Sequence, residues 1–243
     1  MFARTVNRLS EPARRFYKIA KAAERDGGFV VALDQRTLKT PKGAPLHAPS
    51  RALVEAVALE WDAQAEKIIP SRMPLTQLAF AAVDWTAPSR LERAAYVASF
   101  GETDLCCHRA SAPADLVARQ SEEWDRLVAW GREALGVDLP IVEGVVAAPV
   151  APGELRKLKA HAEALDDFAL TALSQAGGLS GSALIAFALV RGRLSGAEAY
   201  AAATLDEQFS LERWGEDVEA RARLDRVRAE FDALERFVRA LNA

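Results

Sequence analysis

The run Cys106-Cys107-His108 is the first place where nucleophilic chemistry would be sought, because an imidazole can activate a thiol. Neighbouring residues on a strand or helix point in different directions, so sequence proximity alone does not make a pair. Two small apolar side chains packed in a core are the simpler expectation. Glu60-Trp61-Asp62 offers two carboxylates, but on a helix they lie about 200° apart and cannot act on one substrate atom. Ser180-Gly181-Ser182 lacks the flanking residues of a nucleophile elbow. His47, His108 and His161 stand far apart, and no C-x-x-C occurs, so no metal site is expected. The chain has neither G-x-x-x-x-G-K-S/T nor G-x-G-x-x-G, the phosphate-cradling loops, and no cofactor is called for. The sequence reads as that of a non-enzyme.

Glu207 breaks the pattern. A helix opening at Ser195 and running past residue 207, at about 100° per residue, places Tyr200, Glu207, Leu211 and Trp214 within an arc of about 60°. An ionised carboxylate among two aromatics and a leucine costs several kcal/mol unless a cation or donors meet it. Three readings compete: a pair with an Arg inside the bundle, the rim of an exposed apolar and aromatic patch that receives another protein, or a catalytic or metal role. Carboxylates at aromatic-rich patches suit partner recognition, since they reject partners lacking the matching cation. The candidate partner-binding residues are therefore Glu207, Trp214, Tyr200 and Leu211. The tryptophans at 61, 85, 124, 130 and 214 read more simply as core than as interface.

The elements that must position these residues follow from patterning. The 243 residues are 50% hydrophobic and 27% charged, with 31 basic against 34 acidic side chains, a net charge of −3. That balance, with bases and acids interleaved, argues against a nucleic-acid face. The longest apolar run, 183–190, is too short to span a bilayer, and no secretory h-region follows Met1. Two adjacent cysteines do not make an extracellular disulfide framework. Residues 16–19 and 29–33 read as strands around the Asp26-Gly27-Gly28 turn, and 37–40 as a third strand that Pro41 and Pro45 end. Ser50 caps a helix to about residue 64 with Leu53, Val57 and Trp61 on one face. Pro74 opens an apolar helix over 75–85.

A boundary near 86–89 gives residues 1–87, a small antiparallel sheet with helices, and residues 88–243, an all-helical bundle; the fold class is α+β. In the second part, helices are expected over 113–135, from 155 to Gly177-Gly178 without a break, over 184–190, from a capping box at Ser195-Gly196-Ala197-Glu198, and over 224–241. Residues 136–152 read as a loop.

Several stretches, in order, resemble one known family. They are Arg15-Phe16-Tyr17-Lys18, the segment from Gly28 to Pro41, Glu60-Trp61-Asp62-Ala63-Gln64, Met73-Pro74-Leu75-Thr76, Thr103-Asp104-Leu105, Gln120 with Trp124, and Leu205-Asp206-Glu207-Gln208-Phe209 with Trp214-Gly215. The chain is similar to the F1-ATP synthase assembly chaperones of the ATP-twelve type, found in mitochondria and alphaproteobacteria. It departs from them in having Gln35 where the family usually has glycine, and His108 before Arg109 where the family tends to have tyrosine.

The resemblance implies an α/β N-terminal domain and a helical C-terminal one. It also implies a transient partner, the unassembled alpha subunit, held by a monomeric and ATP-independent chaperone until the beta subunit replaces it. An orphan subunit exposes apolar surface that aggregates, and covering it needs no bond chemistry. An acidic residue of the C-terminal domain matters in the family, and Glu207 is the position matched to it. With no mitochondrial presequence, a bacterial cytoplasmic member is implied. Two alternatives stay open: a small hydrolase or transferase using Glu207 or Cys107, and a scaffold that binds another helix through residues 224–241.

Overall fold

The computed structural model describes residues 13–25, 27–144, 146, 148–215 and 217–243. Strands β1 (Ala20–Arg25) and β2 (Gly28–Leu33) pair antiparallel from Ala20 opposite Leu33 to Arg25 opposite Gly28. The other edge of β2 takes two short strands in succession, β3 (Arg36–Thr37) beside Ala32 and Leu33, and β4 (His47–Ala48) beside Phe29 and Val30. Asp26 of the expected turn lies outside the described residues. Residues 16–19 are not a strand: the Asp34 carboxylate accepts the Lys18 and Ile19 backbone N–H groups at 3.0 and 2.9 Å, donors that a strand would give to a neighbour. Asp34 itself takes the left-handed conformation of the β2–β3 turn (φ 52°), so Gln35 needs no glycine-like freedom. The third strand is shorter than expected. It stops at Thr37, and a single bridge then joins Lys39 to Pro45 across the turn at Gly43.

Ser50 caps α1 (Arg51–Asp62) through its Oγ, which accepts the Leu53 N–H at 3.1 Å, and Leu53, Val57 and Trp61 are buried as their spacing requires. Helix α2 (Pro74–Ala81) is shorter than the expected 75–85, because residues 82–86 widen into a π turn and 87–89 tighten into a 3-10 turn before α3 (Arg90–Ser99). Pro88 explains this. It offers no N–H to the Asp84 carbonyl, and its ring would crowd that carbonyl in a regular helix. The Lys42 ammonium supplies the missing donor at 2.7 Å.

Helix α4 (Ala114–Leu135) is as expected. Residues 136–152 are loop-like but contain β6 (Val142–Glu143), which pairs in parallel with β5 (His108–Arg109). The long helix expected from residue 155 is two helices, α5 (Pro152–Glu163) and α6 (Asp167–Ser180). Asp166 divides them by accepting the Phe168 and Ala169 N–H groups at 2.8 and 2.9 Å. Gly177-Gly178 does not end α6. A Cβ on Gly177 would meet the Phe100 ring at 2.9 Å, so this glycine serves close packing, and the left-handed Gly181 (φ 66°) ends the helix.

Helix α7 (Ala183–Val190) is buried on every side, and α8 (Gly196–Ala203) opens with both halves of the Ser195–Glu198 capping box. Helix α10 (Val218–Leu241) buries Leu224, Phe231, Leu234 and Val238 and packs on α1, α2, α6 and α8. The apolar seam of residues 224–241 is thus spent inside the protein, which removes the scaffold alternative. Among the described residues, no helix is long and apolar enough to cross a membrane.

Candidate functional site

Thr204 interrupts the helix expected to run from Ser195 past residue 207. It sits at φ −115°, ψ 15°, with its hydroxyl bonded to the Tyr200 carbonyl at 2.7 Å, and divides α8 from α9 (Leu205–Trp214). Tyr200 therefore belongs to a different helix from Glu207, Leu211 and Trp214, and the continuous four-residue face is not formed. Helix α9 is anchored by buried Phe209, with the Arg119 guanidinium 5.2 Å from its ring centroid. Polar bonds tie its α4 side: Asp206 accepts from Gln120 Nε2 at 2.7 Å, Glu212 pairs with Arg119 at 2.6 Å, and Arg213 lies 3.6 Å from Asp115.

Glu207 faces α10. Its Oε1 accepts from Arg223 Nε at 3.2 Å and its Oε2 pairs with Arg223 Nη2. Of the three readings, the Arg pair is the one formed, but at the surface and not inside the bundle: the Glu207 side chain is 27% exposed and that of Arg223 52%. Tyr200 is half-buried with the Arg228 guanidinium 5.8 Å from its ring, and Leu211 is half-buried. Trp214, at the end of α9, is 82% exposed. The expectation that tryptophans are core holds for Trp61 and Trp124; Trp85 and Trp214 are open to solvent.

The nucleophile alternative fails on chemistry. Cys106 and Cys107 are both buried, and burial pushes the Cys107 thiol up to about 12 and that of Cys106 well above its ordinary value. Neither supplies a thiolate near neutral pH. Next to them, the enclosed Asp104 accepts from Ser182 Oγ at 2.6 Å, Cys106 N at 3.0 Å and Leu184 N at 3.1 Å, tying the turn before β5 to the start of α7. Burial raises the Asp104 carboxyl, and these donors oppose the rise. Among the described residues, no group of three or more His, Cys, Asp or Glu could hold a metal.

The stretches that carried the resemblance meet in pairs. Glu60 accepts from Leu75 N, Thr76 N and Thr76 Oγ1 at 2.9, 2.8 and 2.7 Å, capping α2, whose own N-cap residue Met73 makes no side-chain cap bond. Arg15 reaches the Asp62 carbonyl at 2.8 Å and its carboxylate at 3.1 Å, while the Tyr17 hydroxyl donates to the Trp61 carbonyl at 2.6 Å. Gln120 accepts from Ala110 N as it holds Asp206, and Trp124 Nε1 donates to the Ala202 carbonyl at 2.9 Å. These residues hold elements together and are not placed for catalysis. Sequence reasoning missed the capping role of Glu60, although the Met73-Pro74-Leu75-Thr76 helix start, lacking a capping side chain, was the available signal.

Comparison with known proteins agrees with this arrangement. A family model described as "ATP12 chaperone protein" matches residues 14–132. The mitochondrial protein atp12 of Schizosaccharomyces pombe is 25% identical over 220 residues, covering 85% of this chain and 76% of the relative. The crystal structure of Atp12 from Paracoccus denitrificans superimposes with a TM-score of 0.89 at 41% identity, covering 94% of this chain and 98% of that one. A putative chaperone from Agrobacterium tumefaciens matches with a TM-score of 0.87 at 37% identity, over 94% of this chain and 86% of that one. The chain belongs to the ATP12 chaperone family, a family of ATP synthase assembly chaperones and not of enzymes.

Proposed function

We propose that this chaperone holds the unassembled alpha subunit of the ATP synthase F1 head, keeping it from aggregating until the beta subunit takes its place. The contact surface is the exposed side of α9 with its neighbours: Trp214 and Leu211 supply apolar area, Glu207 the charge that marks it, and Tyr200 an adjoining aromatic on α8. The observation that carries this reading is Trp214. An indole left 82% exposed at a helix end, within a belt of ion pairs, supports a partner that covers it. The protein acts as a monomer in the bacterial cytoplasm. Within this reading the division into residues 1–87 and 88–243 is one of composition: the four-stranded sheet lies wholly in the first part, and α10 reaches back onto α1 and α2.

The test is to mix purified protein with free alpha subunit and measure complex mass by light scattering after gel filtration. A one-to-one complex, with suppressed aggregation of alpha, is expected. Absence of a complex together with unchanged aggregation refutes the proposal.

A further inference from the structure

A second surface, far in sequence from α9, has the form of a receptor. Between the sheet and the segment from α1 to α2 lies a groove of about 920 Å³, at the upper end of the roughly 300–1,000 Å³ usual for ligand sites. Leu38, Trp61, Met73 and Phe80 are among the residues of its apolar wall. Phe16, 63% exposed, adds a large apolar side chain to that wall. The charged residues lining the groove are Arg36 and Lys39, both exposed, and no acid lines it. Neither side chain has an ion-pair partner among the described residues. An apolar trough with an unneutralised basic edge is complementary to a chain that carries bulky apolar side chains beside a carboxylate.

We propose that this groove captures an acid-flanked apolar segment of the client polypeptide, as a second point of attachment beside the α9 surface. The inference rests on the chaperone reading above, which makes the occupant a stretch of unassembled protein. Charge also selects among occupants. The chain's own residues 1–12 lead into Ala13 at the groove, but they carry Arg4 and Arg8 against the single Glu11 and would bring net positive charge to a positive edge. A second copy would set Arg36 and Lys39 against whatever it offered, with no self-complementary acid in the groove.

The test uses the full-length protein and a fluorescent peptide of alternating leucine and phenylalanine with a glutamate at each end, followed by anisotropy. The comparison probes are the same peptide ended by lysines, a peptide copying residues 1–12, and laurate as an apolar anion that is not a polypeptide. The glutamate-ended peptide is expected to bind most tightly and to shift the Trp61 indole N–H resonance, assigned by its loss in Trp61→Phe. The exposed double change Arg36→Glu with Lys39→Glu is expected to weaken it about tenfold and to favour the lysine-ended peptide instead. The proposal is overturned by equal affinity for both peptide ends, by an unmoved Trp61 resonance, by the copy of residues 1–12 or laurate binding as tightly, or by dimerisation on sedimentation. In the alpha-aggregation assay, wild type and the double variant suppressing aggregation equally would overturn the groove and leave the proposed function standing. Wild type failing to suppress would instead overturn the function, with the peptide titration still deciding the groove.

Discussion

Replacing Glu207 by lysine separates what this carboxylate does for the fold from what it does for a partner. In the free protein the change removes the pair with Arg223 and places two cations at the junction of α9 and α10. An exposed pair of this kind contributes about 0.2–1 kcal/mol, and the new repulsion costs a similar amount, so the loss is about 0.4–2 kcal/mol. For a chain of this length each kcal/mol moves Tm by about 2–4 °C, which gives a fall of about 1–8 °C in a scanning-fluorimetry melt and a protein that is still folded at 25 °C. If the carboxylate also marks the partner surface, affinity for free alpha subunit, measured by calorimetric titration, falls about tenfold or more, equivalent to about 1.4 kcal/mol. The charge-swapped double variant Glu207→Lys with Arg223→Glu decides between roles. It restores the ion pair and hence Tm, but not the sign of charge at position 207, so affinity is expected to stay low. Affinity within about twofold of wild type for the single variant refutes the reasoning. So does a swap that rescues stability and affinity together, because the pair would then only position α9.

Gly177→Ala should destabilise by about 1–3 kcal/mol in a denaturant titration, because the new Cβ meets the Phe100 ring at 2.9 Å. This reverses the gain of about 1 kcal/mol that the same change brings in an open helix. Both thiols should resist a disulfide reagent at pH 8 in the native state and react fully in guanidinium, given the Cys107 thiol raised to about 12 by burial; rapid native reaction would show that the site opens. The Asp34 carboxyl is lowered by the N–H groups of Ile19 and Lys18, so its stabilisation is present above its unfolded value of about 4 and is lost as pH falls through the lower folded value. Wild type should therefore exceed Asp34→Asn in Tm at neutral pH, and the gap should close as the pH is taken below about 4.

Local chemistry was legible in the sequence wherever a residue acts on its own neighbours. Ser50 and Ser195 cap the helices that follow them, Pro74 opens α2, and the unbroken apolar run of 183–190 is the helix at the centre. The α10 seam lay at the spacing that buries it, and the ordered motifs pointed to the family. What could not be read were the places where a distant partner decides. Asp166 and Thr204 break helices that periodicity alone continues, since a short polar side chain can bond the backbone and replace a helical bond without disturbing the apolar pattern. Gly177 looks like a helix end until Phe100 is seen to lie against it, and Glu60-Trp61-Asp62 looks like paired acids until α2 and Arg15 arrive to use them. The basic-edged groove and the exposure of Trp214 belong to tertiary structure alone. Capping and periodicity act over a few residues, whereas a cavity and an uncovered indole are set by how the sheet, α1, α2 and α9 come to rest against one another.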